Sequence, residues 1–157
     1  MNSTETKIIA RYSETDQMGI IYHANYFIWF DVARTDYLKK QGVNYRQMEE
    51  NGILLPVIEA NCKYKVSVKY DDEIIVKTRI SELSRTRIKF YYKIYREDIF
   101  IAEGFTEHVF LSKEKNKVVN LKKERKDLFE KLFNIYNSQN SKCTLNSDFI
   151  LATIENH

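Results

Sequence analysis

The sequence predicts an α+β domain in which an antiparallel sheet of five or six strands wraps around one long helix, with an extra helix near the C-terminus. Three patterns indicate this architecture. Residues 26–40 repeat apolar side chains at helical spacing, while residues 74–81, 88–95 and 99–111 read as strands separated by short polar links. Residues 122–136 carry leucines and aromatic residues at helical spacing. Consecutive strands with short links form an antiparallel meander.

The segment before the long helix begins as a strand and continues as a polar loop. Residues 6–13 are rich in β-formers, and residues 14–19 form a polar connection. Asn25 is expected to cap the helix N-terminus with its side-chain oxygen. Gly42 is expected to end the helix, after two lysines that favour its negative C-terminal end. The predicted buried stripe consists of Tyr26, Phe30, Ala33 and Tyr37.

The chain after the long helix is expected to be mostly strand. Residues 44–51 are predicted as a short helix that ends at Gly52. Residues 53–68 are extended, and Pro56, which cannot donate a ladder hydrogen bond, indicates a sheet edge or a bulge. Residues 118–121 are predicted as a short strand. Sheet edges need cover, and oligomerisation is a common way to supply it.

Length and composition indicate one globular domain. The chain has 157 residues, of which 43% are hydrophobic and 30% are charged, so residues 1–136 suffice for a single core. Residues 137–157 are expected to form a polar, loosely held tail. The net charge of +3 is too small to predict nucleic-acid binding.

Cysteine usage and hydropathy favour a cytoplasmic location. Cys62 and Cys143 lie far apart and neither belongs to a C-x-x-C pair, so reduced cysteines are expected rather than a disulfide or a zinc site. The chain shows no stretch with the basic and apolar regions of a signal peptide, and no apolar run of membrane-spanning length.

The candidate reactive centre is the stretch of residues 12–26, which leads into the long helix. Asp16 precedes Gly19, where a tight turn or a closely approaching ligand would exclude a side chain. The helix start presents free backbone N–H groups, which stabilise a carboxylate or an oxyanion beside them. Asp16 is therefore either a reactive carboxylate or the acceptor of an Asx-turn or helix cap. Glu14, a second carboxylate nearby, is expected to be solvated or paired with a basic residue.

The spacing from Asp16 through Gly19 and His23 to Tyr26 resembles that of the hotdog-fold acyl-CoA thioesterases. The similarity is to the 4-hydroxybenzoyl-CoA thioesterase branch, which includes the Tol-Pal-associated YbgC enzymes, and it spans residues 6–136. It implies a hotdog fold, in which the curved sheet is the bun and the long helix is the sausage. The residues that carry the resemblance are Arg11, Tyr12, Thr15, Asp16, Gly19, Tyr22, His23, Asn25, Tyr26, Phe30, Ala33 and Arg34.

The resemblance implies catalytic roles for Asp16 and His23. Asp16 occupies the position of the family's catalytic carboxylate, either as nucleophile or as general base. The backbone N–H of His23 occupies the position that polarises the thioester carbonyl, while its imidazole is expected either to contact the substrate or to be structural. The family pairs two protomers around a shared active site, which implies a homodimer here and further assembly into a homotetramer, a dimer of dimers. A coenzyme A thioester is the implied substrate, with no cofactor and no metal.

Four residues near the helix start are candidates for substrate binding, namely Gly19, Tyr22, Tyr26 and Phe30. The acyl pocket is expected to draw on these aromatic residues and on Phe27, although each of them is also a plausible packing residue. Their bulk favours a short aliphatic or an aromatic acyl group.

Coenzyme A carries phosphates, so its nucleotide end is expected to contact basic side chains. Arg85, Arg87 and Lys89 cluster at the start of one predicted strand, and Lys63 and Lys65 lie on another. The alternative for these residues is a solvated charge run that protects a sheet edge.

Two other functions compete with thioester hydrolysis. A hydroxyacyl dehydratase of the same fold requires a His-Phe-Pro loop, which this chain lacks, since Pro56 is its only proline. A non-catalytic acyl-CoA or acyl-carrier-protein binding module would bind its ligand without turnover, and the presence of Asp16 argues against it.

Overall fold

One antiparallel sheet and the helix that packs on it form the main body of the fold. The computed structural model describes the backbone of residues 5–145 and the side chains of residues 5–140. The main-sheet strands are β1 (Glu5–Ile9), β3 (Val57–Tyr64), β4 (Glu73–Leu83), β5 (Arg87–Arg96) and β6 (Ile99–Val109). Their spatial order is β1-β4-β5-β6-β3, and every neighbouring pair is antiparallel. This five-stranded sheet around a long helix confirms the predicted α+β architecture.

Residues 5–145 also contain four α-helices, including the long one, and a small second sheet. The last helix, α4 (Lys126–Leu145), continues past Tyr136, so the part of the predicted loose tail up to residue 145 is helical, and residues 146–157 lie outside the described residues. The first strand is shorter than predicted because Tyr12–Glu14 turn as a 3-10 helix. The helices are α1 (Asn25–Lys40), α2 (Tyr45–Glu50), α3 (Leu121–Glu124) and α4 (Lys126–Leu145), and the short strands are β2 (Ile53–Leu54), β7 (Leu111–Ser112) and β8 (Lys117–Val118).

Helix α1 buries one face against the main sheet. Phe30 is fully enclosed and stacks on Tyr92 of β5, with ring centroids 4.3 Å apart and ring planes 8° apart. Tyr37 meets Phe90 of the same strand edge to face, at 6.4 Å. Trp29, which lies outside the predicted stripe, is also buried. Each such enclosed aromatic side chain stabilises the fold by about 2 kcal/mol, so this helix face anchors the core.

The start of α1 differs from the sequence prediction, whereas its end agrees with it. Ala24 is the N-cap residue, without a side-chain capping bond. The predicted capping role of Asn25 is wrong, because its side-chain amide points back and donates to the carbonyl of Glu14 at 2.8 Å. At the other end, Gly42 has a φ of +83° and donates to the carbonyl of Lys39, which closes the helix as expected.

Strand β3 lies at one edge of the main sheet, as Pro56 indicated. It pairs only with β6 among the described strands and contains a bulge after Val57. Seven of its eight residues are exposed and the eighth is half-buried, and Val57 and Ile58 expose apolar side chains. A long edge strand with exposed apolar groups is a surface that proteins normally cover.

A chain of hydrogen bonds runs through the core beneath α1. The buried Arg34 donates to the Tyr92 hydroxyl at 3.5 Å, and this hydroxyl lies 2.7 Å from the hydroxyl of Thr106. Thr106 contacts Nε2 of His108 at 2.8 Å, and Nδ1 of His108 contacts the carbonyl of Leu55 at 2.9 Å. Because the carbonyl can only accept, Nδ1 carries the proton of a neutral imidazole and Nε2 accepts from Thr106. Every bond in the chain then points in one direction.

Gly104 on β6 marks the place where the helix, β6 and β3 approach most closely. A Cβ atom at this position would lie 2.1 Å from the carbonyl oxygen of Asn61 on β3 and 2.9 Å from the ring of Phe30 on α1. The first of these is a backbone atom in a paired strand, which cannot move aside cheaply. Gly104 is therefore required for space.

We expect Gly104→Ala to lower the free energy of unfolding by about 3 kcal/mol, because the added methyl group forces the edge strand or the helix outward. Urea denaturation measures this change. The comparison variant is Gly52→Ala, at a position with a φ of +89° and open space, where only backbone strain of about 1 kcal/mol is expected. Equal effects of the two substitutions would contradict the close-approach interpretation.

Acid is expected to destabilise the fold through His108. Burial, assisted by the positive charge of Arg34, lowers the pKa of His108 from its ordinary 6.5 to about 4. Because the folded-state pKa is depressed, the neutral ring stabilises the fold fully above pH 6.5, and this stabilisation is lost as the pH falls towards 4. Between pH 7 and pH 5 the loss should be about 2 kcal/mol.

The measurement is the urea unfolding free energy of the wild type and of His108→Gln at both pH values. Gln cannot titrate, so the variant should lack that part of the pH dependence while keeping the part due to carboxylates. The same pH dependence in both proteins would exclude His108 as its source.

Candidate active site

The loop between β1 and α1 folds back as a small hairpin. Thr15 and Ile21 form an isolated antiparallel bridge, and the N–H of Asp16 donates to the carbonyl of Ile20 at 2.8 Å. The turn is closed by the N–H of Gly19, which donates to the carbonyl of Asp16 at 3.0 Å. Gly19 has a φ of +78° and open space around it, so the backbone conformation, rather than crowding, favours glycine here.

Glu14 joins this hairpin to helix α1. Its carboxylate is only 5% exposed and accepts hydrogen bonds from the N–H of Arg11 at 2.8 Å and from the indole of Trp29 at 2.9 Å. Its carbonyl accepts from the N–H of Tyr22 and from the side chain of Asn25, both at 2.8 Å. The guanidinium of Arg11 lies 3.6 Å away, so Glu14 is paired rather than solvated. Glu14 thus accepts hydrogen bonds from four residues that lie before and after the hairpin in the chain.

The anchoring role of Glu14 was not predicted from the sequence. The available signal was local: a glutamate three positions after the residue that opens a helical turn can accept that residue's N–H, as Glu14 accepts the N–H of Arg11 here. The hydrogen bond from Trp29 comes from helix α1, and no pattern in the sequence around Glu14 indicates it.

Asp16 is half-buried in the hairpin turn. Its Oδ1 accepts the N–H of Met18 at 2.8 Å, which is the Asx-turn considered from the sequence. Its second oxygen, Oδ2, has no hydrogen-bond partner among residues 5–140. One side of the carboxylate therefore fixes its orientation and the other is free for chemistry.

The first turn of α1 leaves two backbone donors unused. Asn25 donates to the carbonyl of Tyr22 at 2.9 Å, and Tyr26 donates to that of His23 at 3.3 Å. The N–H groups of His23 and Ala24 have no acceptor within the described part of the chain. They lie at the positive end of the helix dipole, where an anion is stabilised.

A cavity of about 220 Å³ opens beside this helix start. Asp16 does not line it, but its hairpin partner Ile20 does, and His23 lies at the same wall. Of the predicted substrate-binding residues, Tyr26 borders the cavity. The full lining consists of Ile20, Ile21, His23, Tyr26, Tyr64, Lys65, Val66 and Ser67.

Tyr26 forms the buried side of the cavity. It is 3% exposed, and its ring contacts those of Trp29 and Tyr64, each with centroids 4.9 Å apart. Burial raises the pKa of Tyr26 to about 12, so its phenol stays neutral. Phe30, one turn further along, belongs to the core, whereas Tyr22 is exposed beside the His23 ring at 4.4 Å.

The basic cluster at residues 85–89 lies far from this cavity within one chain. Arg87 is ion-paired with Glu107 at 3.6 Å, and the Lys89 ammonium lies 4.1 Å from the centre of the Phe105 ring. Its strand neighbours Ile88 and Phe90 are buried, so Arg87 and Lys89 occupy the sheet face opposite α1. The start of β5 is also about 23 Å of strand away from the part that lies level with Tyr64.

Lys65 is the basic residue that borders the cavity. It is exposed, follows β3, and has no ion-pair partner among residues 5–140. The sequence analysis named Lys65, together with Lys63, as a candidate contact for the nucleotide end of coenzyme A.

Two further properties concern residues 5–145. Among the side chains of residues 5–140, no three His, Cys, Asp or Glu lie close enough to share a metal ion. The helices of residues 5–145 also lack the combination of length and apolar character that a membrane crossing requires.

Comparisons with known proteins agree on one family. The family model described as the thioesterase-like superfamily matches residues 10–130. The acyl-CoA thioesterase YbgC of Haemophilus influenzae is 32% identical over 124 residues, which cover 77% of this chain and 90% of that protein.

Solved structures support the same assignment. A DHNA-CoA thioesterase from Staphylococcus aureus superposes with a TM-score of 0.84 at 37% identity, covering 88% of this chain and 94% of the other. The hypothetical protein TT1821 from Thermus thermophilus superposes with a TM-score of 0.79 at 31% identity, covering 84% and 98% respectively. Together with the sheet, the enclosed helix and the Asp16 hairpin, these matches show that the chain belongs to the thioesterase-like superfamily and has its hotdog fold.

Proposed function

We propose that this protein hydrolyses acyl-CoA thioesters to a free carboxylic acid and coenzyme A. The observation that carries the proposal is the pair of N–H groups, on His23 and Ala24, that lack an acceptor in the described chain at the start of α1. Beside them, the hairpin holds Asp16 with one carboxylate oxygen uncommitted. An oxyanion site next to a carboxylate meets the needs of thioester hydrolysis. The family and the names of its relatives support the same reaction.

The hairpin supports a joint role for Asp16 and His23. The N–H of Asp16 donates to the carbonyl of Ile20, and Ile20 lines the cavity together with His23, three residues further along the chain. We therefore assign the oxyanion donor to the His23 N–H and the reacting carboxylate to Asp16.

Two routes use these groups. In the first, an Asp16 oxygen attacks the thioester carbon, the C–S bond breaks, and coenzyme A leaves as a thiolate; water then hydrolyses the mixed anhydride. In the second, Asp16 takes a proton from a water molecule that attacks the carbon instead. Both routes pass through a tetrahedral oxyanion, and a single backbone donor to such an oxyanion typically contributes on the order of 10²–10³ in rate.

The cavity favours a short aliphatic or an aromatic acyl group. Its volume is about 220 Å³, and the edge-to-face contact between Tyr26 and Tyr64 limits its depth. Tyr26 is the proposed contact of the acyl group, and Gly19 and Tyr22 approach the substrate from the hairpin side. Phe30 supports Tyr26 from the core.

For the nucleotide end of coenzyme A, the cavity itself offers Lys65, whose ammonium group is unpaired in the described chain. The predicted contacts from Arg85, Arg87 and Lys89 require a second subunit that brings its own cluster to this cavity. We therefore propose these three residues as coenzyme A contacts that the second subunit contributes.

The exposed edge strand supports the proposal of a homodimer. Pairing of β3 with β3 of a second copy would satisfy its free backbone groups, cover Val57 and Ile58, and extend the sheet through both subunits. Tyr64, the last residue of β3, borders the cavity, so such pairing would place the site at the interface and share it between subunits. Further assembly into a dimer of dimers is the proposed final state.

A non-catalytic acyl-CoA or acyl-carrier-protein binding module is the second candidate function. One observation favours it. The Oδ1 atom of Asp16 already accepts a hydrogen bond within the turn, and Asp16 does not line the cavity of a single chain. Such a module would bind thioesters without releasing free thiol.

We expect Asp16→Asn to lower kcat at least about 100-fold, because the amide can neither attack the carbonyl nor accept a proton. Its Oδ1 can still accept the Met18 N–H, so the hairpin should persist. The measurement is free-thiol release over a panel of short aliphatic and aromatic acyl-CoAs.

The control is Glu114→Gln, which removes an exposed carboxylate in the β7–β8 turn and should leave kcat unchanged. Full activity of Asp16→Asn would exclude the mechanism. Thioester binding by the wild type without thiol release would favour the binding module.

We expect Ile58→Lys to dissociate the dimer, because it places a charge on the edge that the second copy should cover. Ile58 is 47% exposed in the single chain. Sedimentation velocity measures the oligomeric state, and thiol release measures the linked loss of activity.

The matched control is Ile28→Lys, at an isoleucine of similar exposure, 49%, that belongs to α1 rather than to β3. This variant should remain at least dimeric. A wild type that sediments as a monomer would contradict the shared site.

A further inference from the structure

The side chain of Tyr64 crosses from the edge strand to the start of helix α1. Its hydroxyl donates to the carbonyl oxygen of His23 at 2.9 Å. The ring meets Tyr26 edge to face at 4.9 Å and the imidazole of His23 at 6.3 Å. Although Tyr64 is 44% exposed, both its hydroxyl and its ring are therefore committed to the first turn of the helix.

The carbonyl that Tyr64 holds belongs to His23, which lines the cavity and whose N–H has no acceptor among residues 5–140. His23 lies outside the regular part of α1. Among residues 5–140, its carbonyl accepts one other hydrogen bond, from the N–H of Tyr26 at the long distance of 3.3 Å. Its neighbour Ala24 has no capping side chain to fix the turn. The Tyr64 hydroxyl thus supplies an anchor for a helix start that lacks the usual one.

We propose that Tyr64 is a positioning residue, which orients the His23 N–H towards the substrate carbonyl by holding the His23 carbonyl. This inference rests on the proposed thioester hydrolysis. With its carbonyl fixed from the edge strand, His23 cannot rotate its two peptide groups freely, so its donor is preorganised. The bond to the carbonyl also polarises the peptide that bears the Ala24 N–H, the second unused donor.

The chemistry of the phenol suits this role. Burial, with Cys62 as a further contributor, raises the pKa of Tyr64, so the hydroxyl remains a proton donor at all pH values of interest. Tyr64 also ends the strand that the second copy is proposed to cover. Orientation of the oxyanion donor would then depend on the same strand that forms the dimer.

The test removes the hydroxyl and keeps the ring. In Tyr64→Phe we expect kcat to fall about tenfold, as for the loss of one well-placed hydrogen bond, with KM changed less than twofold. The matched control is Tyr95→Phe on the outer face of the sheet, where the ring contacts Phe100 and Lys77 and the hydroxyl makes no hydrogen bond within residues 5–140. This control should retain the wild-type kcat.

A second measurement reports on orientation directly. A ketone analogue of the substrate, with a methylene group between sulfur and the carbonyl, binds without turnover and carries an infrared carbonyl band. Donation from the His23 N–H should lower the frequency of this band in the wild type, and Tyr64→Phe should reverse a large part of that shift. Unchanged kcat together with an unchanged band in Tyr64→Phe would overturn the inference.

The two measurements separate this inference from the proposed function. A wild type that releases no thiol from any acyl-CoA overturns the proposed function, and the carbonyl band still decides whether Tyr64 orients the donor. A fall in kcat accompanied by an unchanged band would mean that Tyr64 acts only structurally, which also overturns the inference. Melting temperatures of both variants within about 2 °C of the wild type show that the fold is intact.

Discussion

The candidate site depends on the burial of one carboxylate, that of Glu14. An enclosed charge is stable only when its oxygens are bonded, and here the bonds come from the backbone of Arg11 and the indole of Trp29. The carbonyl of the same residue holds Tyr22 and Asn25. These bonds connect the core, the hairpin and the start of α1 through a single residue. The Asp16 turn therefore cannot shift relative to the unused N–H groups of His23 and Ala24 without breaking several of them.

Much of the fold could be predicted because its signals are local. The spacing of apolar residues predicted helix α1, and the short polar links predicted the three meander strands. Pro56 indicated the edge position of β3. One error occurred where a side chain had two possible partners. Asn25 was expected to accept at the helix start, but it donates to Glu14 because the hairpin returns to that point. Such a return is a tertiary event that no local pattern encodes.

The candidate site was predictable in its centre and less so in its surroundings. The Asp16-to-Tyr26 spacing located the turn, the helix start and the aromatic wall within a single stretch of sequence. Tyr64 and Lys65 join this stretch because β3 runs beside α1. Lys65 was a candidate only for its charge, and nothing in the sequence around Tyr64 distinguished it from an ordinary strand residue. Arg87 and Lys89 illustrate the converse, since these basic residues stand out in the sequence but lie on the sheet face away from the helix.

Tyr26 forms part of the cavity wall and also part of the core. Because it does both, few other side chains are tolerated at this position. A smaller residue at this position would enlarge the space for an acyl group but would also open a void against Trp29, at a cost of about 3 kcal/mol. Typical domains have only about 5–15 kcal/mol of stability in total. Broader substrate range would therefore come more readily from the exposed side of the cavity, at Val66 and Ser67, where side chains can change size without disturbing the interior.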